Sequence, residues 1–292
     1  MKDIMQQEKE KRLLVWSEEF TLPELDLTKW SFERLMGNPG NEYCNDEKHA
    51  RIENGMLHLQ VHRKDEQSYS LPESVTTKYS MLYRYGYVEM KAKIPFRHGV
   101  WPSFWMKGDT PFLRCREGRN DWFPELDIFE NFASNSYIVS NLHKWGNVDG
   151  KAVHEQLPEG DTHPKHSYDF KNLDTLNEEY HIYGMLWDEH TIKCSVDGEV
   201  YFSVNIDEKT EWKSENYPDV NGFHDPMYLI INNEVFTDTS YFKPDGAALT
   251  LDDLMPIDYY VDYVRLYQKD GEELITGTRL TKAYAKSVEN KL

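Results

Sequence analysis

Between Tyr87 and Pro95 the chain alternates cleanly, with Val88, Met90, Ala92 and Ile94 on one side and Tyr87, Glu89, Lys91 and Lys93 on the other. A period of two sustained over that length predicts a half-buried β-strand. Apolar positions over Arg51 to Arg63 flank Asn54-Gly55, and those over Thr191 to Ile206 flank Asp197-Gly198. Both dipeptides are strong hairpin signals, because a two-residue turn needs positive φ. Shorter apolar runs at Leu13–Trp16, Thr76–Met81, Trp101–Lys107, Trp122–Glu130, Tyr137–Trp145, Tyr180–Trp187, Met227–Val235 and Tyr259–Gln268 complete the set. Many short strands with turn residues between them, and almost no helical period, predict two packed antiparallel sheets, an all-β sandwich. No repeat or low-complexity linker divides the chain. The expected layout is a flexible polar segment over residues 1–12, one sandwich domain over 13–268, and a tail over 269–292 with a helical pattern around Leu280 to Leu292.

Composition changes this picture in three ways. A net charge of −18 argues against nucleic acid or an anionic membrane as partner, since both call for Lys and Arg, and it favours a neutral ligand over a sulfated one. Cys44, Cys115 and Cys194 are far apart and odd in number, which indicates neither a disulfide framework nor a zinc site; Cys194 alternates with Ile192 and Val196 as a core residue would. No apolar run is long enough to span a bilayer, and Met1 to Arg12 has no signal-like core. The chain as written is expected to be a cytoplasmic monomer, or a secreted or periplasmic one from which a signal peptide has been removed.

The candidate chemistry lies in Trp122-Phe-Pro-Glu-Leu-Asp-Ile-Phe-Glu130, where three carboxylates are set into an aromatic, apolar segment. In a strand, Glu125 and Asp127 share a face while Leu126 and Ile128 point to the layer behind. Glu130 falls on the wrong face of a regular strand, and one extra residue in a bulge at Ile128-Phe129 returns it to the row. Alternating acids also suit a solvated face or an oxygen cage for a hard cation. Crowded carboxylates shift one another's pKa, and chemistry that uses one ionised nucleophile beside one protonated acid is glycosidic cleavage with retention.

The E-x-D-x-x-E run of Glu125, Asp127 and Glu130 resembles the catalytic signature of glycoside hydrolase family 16 in its bulged, laminarinase-like form. Gly99-Val-Trp-Pro-Ser-Phe-Trp-Met106 resembles the segment that precedes it, and His181-x-Tyr-x-x-x-Trp187, Val196-Asp-Gly198 and Val261-Asp-Tyr-Val-Arg265 extend the similarity from about Leu13 to Gln268. The resemblance implies a concanavalin A-like jelly roll with a cleft on its concave sheet. It also implies a retaining endo-β-glycanase for β-1,3- or mixed-linkage β-1,3-1,4-glucan, with β-galactan hydrolysis or non-catalytic glycan binding as alternatives. Glu125 would be the nucleophile, Asp127 its tuning partner and Glu130 the acid/base. Substrate-binding candidates are Asn41, Trp101, Trp105, Trp122, His143 and Asn232. No cofactor is expected for catalysis, and a structural calcium is implied at Glu19, Gly55 and Asp262. Pro124, Lys78 and Asn232-Asn-Glu-Val-Phe236 depart from the family pattern around the cleft, so the identity of the glycan stays open.

Overall fold

In the computed structural model, which describes residues 4–35, 37–66, 68–113, 121–148, 150–157, 166–206, 223–238 and 255–289, the alternating segments form two large sheets. The strands are numbered in chain order. One sheet runs β13 (Lys151–Leu157), β12 (Tyr137–Val148), β11 (Asp121–Glu130), β10 (Val100–Lys107), β18 (Tyr228–Val235), β7 (Ser74–Thr76) and β2 (Ser31–Glu33), with β14 (Ser167–Asp169) against the start of β12. The other runs β17 (Glu199–Asn205), β16 (Thr191–Val196), β15 (His181–Trp187), β9 (Gly86–Lys93), β19 (Ile257–Gln268), β5 (Met56–Arg63), β6 (Tyr69–Pro72) and β3 (Glu42–Cys44). Onto it, β1 (Leu13–Glu18) pairs with β19 and β4 (Ala50–Glu53) with β5. A separate ladder joins β8 (Met81–Arg84) to β20 (Glu273–Thr276). Every described pairing is antiparallel except β3 with β6. Neighbours such as β9–β19 and β10–β18 are far apart in sequence, as the crossovers of a jelly-roll sandwich require.

The core fills the space between the sheets. Phe104, Met106, Leu126, Ile128, Phe129 and Leu142 face Val88, Met90, Tyr183, Met185, Cys194 and Val264, all fully or almost fully buried. Each such side chain contributes about 1.5–3 kcal/mol on leaving water. Both expected turns form as read: Asn54-Gly55 and Asp197-Gly198 have positive φ at both residues and join β4 to β5 and β16 to β17.

The course of the chain departs from the sequence reading at several places. Residues 1–12 are not a loose segment where they are described: Ile4–Glu10 is helix α1, its Met5 seated on Tyr87 and Leu186 and its Lys9 bound to Glu89. The polar composition hid this docking, because only Met5 is buried and the rest is anchored by charge. Thr76–Met81 is two strand ends separated by a turn, in which Ser80 and Met81 donate their backbone N–H to Thr77 O. The tail helix α2 spans Gly277–Glu289, beginning before Leu280, which is buried beside Leu82, Tyr228 and Ile275. Cys194 is a core residue, while Cys115 lies outside the described residues. Among the described residues no helix is long and apolar enough to cross a membrane.

Candidate active site

Strand β11 carries the acid row, and its register shows how. Against β10, Phe104 pairs with Phe129 and Trp105 with Asp127, leaving Ile128 as an extra residue; against β12, the register jumps between Asp127↔Asn141 and Glu130↔Val139. This is the bulge expected at Ile128-Phe129. It buries both Ile128 and Phe129 in the core and returns Glu130 to the face of Glu125 and Asp127. The Ile128 carbonyl, displaced from the ladder, accepts hydrogen bonds from Ser140 Oγ at 2.8 Å and Tyr201 OH at 3.0 Å. The distortion is therefore held in place by partners from β12 and from β17 of the opposite sheet.

The three carboxyl groups have different surroundings. Trp101 Nε1 donates to Glu130 Oε1 at 2.8 Å, and Asn141 Nδ2 donates to its Oε2 at 3.2 Å. Asp127, only 2% exposed, has its Oδ2 3.0 Å from His143 Nε2, which is also 4.0 Å from Glu125 Oε1. Burial pushes all three above the ordinary carboxylate range. For Glu125, the His143 charge opposes this and Glu130 adds to it. For Asp127, the Glu125 charge adds to burial and a hydrogen bond with Glu130 opposes it. Glu130 is pushed up to about 8 by burial and Asp127, against the pull of His143, Trp101 and Asn141. Glu130 is thereby placed to hold a proton at neutral pH, which an acid on a solvated strand face does not do. Both Glu130 oxygens already meet N–H donors, so any cation in the row would fall to Glu125, Asp127 and His143, whose ligand atoms lie within 4.8 Å of one another.

The acids open into a cavity of about 720 Å³ across the outer face of this sheet, large enough for several sugar units. Trp101 and Trp105 line it. Trp101 stacks on Phe236 with 5.0 Å between centroids and 6° between planes, and Trp105 Nε1 donates to Asn232 Oδ1 at 2.6 Å. Asn232 thus holds a cavity tryptophan, with its own amide nitrogen buried and unbonded among the described residues. Asn41 stands further out, donating to Glu234 Oε1 and Val235 O. His143 lines the cavity beside Asp127. Trp122 requires correction: it is 1% exposed and faces the layer behind, beneath the Lys144 amine, while its neighbour Phe123 lines the cavity. Lying three residues before Glu125, it has the opposite strand parity.

Several cavity residues escaped the sequence reading. Lys107, Phe132, Asn141, Trp145, His154 and Gln156 reach it from β10, β12, β13 and the turn after β11. Strand β13 went unrecognised although Asp149-Gly150, followed by the alternating Lys151–Leu157, carries a hairpin signal.

The residues expected to hold calcium are engaged elsewhere. Arg265 Nε and Nη2 grip both oxygens of Glu19 at 2.8 and 2.7 Å, Lys91 Nζ meets Asp262 Oδ2 at 2.7 Å, and Gly55 sits in the β4–β5 turn. With each acid neutralised by its own cation, this set does not suit a dication.

Comparison with known proteins fits this geometry. Residues 12–269 match the family model described as Beta-porphyranase A-D, GH16 domain. The chain is 30% identical over 263 residues to the clotting factor G alpha subunit of Tachypleus tridentatus, covering 87% of this chain and 34% of that protein. It is 28% identical over 278 residues to glucan endo-1,3-beta-glucosidase A1 of Niallia circulans, covering 88% and 38%. The chain therefore spans little more than a third of either relative. The crystal structure of the laminarinase from Flavobacterium sp. UMI-01 superposes with a TM-score of 0.60 at 25% identity, covering 88% of this chain and all of that one. Acid row, bulged strand, sandwich and a match over nearly the whole length agree, and the chain belongs to glycoside hydrolase family 16.

Proposed function

We propose that this protein is a retaining endo-β-glycanase acting on β-1,3-glucan or mixed-linkage β-1,3-1,4-glucan. The observation that carries the reading is the inequality of the three acids in one open cavity. Glu125 faces His143 and is the group placed to be ionised; Glu130, pushed up to about 8 and held by Trp101 and Asn141, is the group placed to keep a proton. In the reaction, the Glu125 carboxylate attacks the anomeric carbon while Glu130 gives its proton to the departing sugar oxygen. The bond between the anomeric carbon and the glycosidic oxygen breaks as the bond to Glu125 forms, leaving a glycosyl ester on Glu125, an ionised Glu130 and a free hydroxyl on the departing sugar. Glu130, now ionised, takes a proton from water as that water attacks the ester, and the second inversion restores the original configuration. Asp127, between them, shares protons with its neighbours and limits the charge on the row. Trp101 and Trp105 offer ring faces to pyranoses.

A β-galactan is the second reading, favoured by the porphyranase description of the matching family model and by a cavity that contains the Lys107 amine. A binding module on this scaffold would have no use for three acids held against their ionisation. The discriminating experiment incubates the protein with laminarin, lichenan, agarose, porphyran and keratan sulfate and measures new reducing ends. Release from the first two supports the proposal, release from the galactans alone supports the second reading, and binding without release from any of them overturns both.

A further inference from the structure

Two of the residues that escaped the sequence reading form a single unit with the acid row. In the β12–β13 ladder, Trp145 pairs with His154 and His143 with Gln156. The His154 ring lies flat on the Trp145 indole, with centroids 3.7 Å apart and planes 11° apart, and its Nε2 is 2.8 Å from His143 Nδ1. On the opposite edge of the same imidazole, His143 Nε2 is 3.0 Å from Asp127 Oδ2. His143 therefore links the acid row to β13, through a hydrogen bond at Nδ1 and a close charge contact at Nε2 that does not have hydrogen-bond geometry.

Two imidazole nitrogens in contact at that distance must share one proton. If both rings were charged, two N–H groups would face each other, so the pair carries at most one positive charge. Burial and the charge of His143 hold the His154 ring below the ordinary histidine range, against a smaller opposing pull from Glu155. A neutral His154 accepts the Nδ1 proton of His143 and leaves Nε2 of that ring for the carboxyl group. The charged groups around the pair are Glu125, Asp127 and Glu130 from β11, Lys107 from β10 and Glu155 from β13.

We propose that His154 is a positioning residue for this site: its Nε2 fixes the tautomer and orientation of His143, and through His143 it governs how protons are divided along the row of Asp127 and Glu125. The inference rests on the hydrolytic reading above. It gives His154 a task that a sugar platform would not have. An acceptor on Nδ1 fixes which nitrogen of His143 faces β13 and which faces the carboxyl groups. Without the acceptor that arrangement is no longer imposed, and the row should divide its protons differently and ionise over a displaced pH range.

Two substitutions separate the task from the stack: His154→Phe keeps a ring on Trp145 and removes the nitrogen, whereas His154→Gln keeps an acceptor and removes the ring. Rates on the polysaccharide that wild-type protein cleaves are followed from about pH 4 to about pH 9, as general acid–base profiles require. For His154→Phe the expectation is a roughly tenfold fall in kcat, KM within about twofold, and an acidic limb displaced by about half a unit or more; His154→Gln should recover most of that shift. The same variants, labelled with ¹⁵N-histidine, should show the His143 nitrogen resonances changed in His154→Phe and near their native positions in His154→Gln. The proposal is overturned by a His154→Phe variant with a native pH profile and only a raised KM, or by unchanged His143 resonances. Because the resonances need no turnover, a protein that cleaves no glycan defeats the hydrolytic reading while the tautomer claim is still decided.

Discussion

Glu130 sets the behaviour of the site with pH. Its carboxyl accepts from Trp101 and Asn141, yet burial and Asp127 push it up to about 8. The native state therefore keeps a proton that the unfolded chain releases near the ordinary glutamate value of 4.5. Stability on this account is fully present below that value and falls as pH rises through the window to about 8. Glu130→Gln removes the titration, so denaturant unfolding should show wild-type protein losing on the order of 5 kcal/mol relative to the variant between the two ends of that window. A constant difference would mean that Glu130 ionises normally. Wild-type kcat/KM should decline above about pH 8 for the same reason. At this scale strand parity alone made Glu125 and Asp127 legible in the sequence, and the spacing to Glu130 called for a bulge. The same parity sets Trp122 on the opposite face, against the cavity position that its place in the motif suggested. His154 was hidden for a different reason: a lone histidine in an alternating strand says nothing of the ring it will meet across the ladder.

The element that makes the row possible is bulged β11, and the bulge depends on where the Ile128 carbonyl finds its donors. Ser140 Oγ and Tyr201 OH supply them. Replacing both together, Ser140→Ala with Tyr201→Phe, leaves that carbonyl buried without its side-chain donors and should cost about 1–3 kcal/mol of stability. Because Glu130 follows two residues later, kcat should also fall by about tenfold to a hundredfold with KM little changed, as expected when a catalytic group is misplaced by a fraction of an ångström or more. Stability lost with kcat intact would show that the bulge holds its shape without them. Sequence could announce the bulge from the position of Glu130, but not its fastening, since Tyr201 belongs to a strand of the other sheet.

Across the whole molecule, charge closes the ends of the chain onto the sandwich. Lys9 of α1 places Nζ 2.7 and 2.9 Å from the two oxygens of Glu89, which is 2% exposed, and Arg12 joins Glu8 to Glu272 after β19. Lys9→Met retains the aliphatic stem and strips the amine, leaving Glu89 with Tyr267 OH at 3.3 Å. The expected loss is about 2–3 kcal/mol in urea unfolding, from a buried carboxylate without its cation, with kcat unchanged. A loss under about 0.5 kcal/mol would place α1 among ordinary surface contacts. The sandwich itself was legible from hydrophobic alternation because its sheets bury one face each. The docking of α1 was not, because an anchor made of one methionine and two cations leaves no hydrophobic period to read.

The central claim, that Glu125 is the nucleophile of a retaining glycanase, is tested most directly by trapping what takes its place. Glu125→Ala should lose turnover on polysaccharide, and added azide should restore cleavage of an activated aryl β-glycoside by entering the vacated space. The product is read by ¹H NMR. A glycosyl azide of inverted, α configuration is the predicted result. Full activity in Glu125→Ala without azide, or an azide product that appears only when Glu130 is the residue removed, would contradict it.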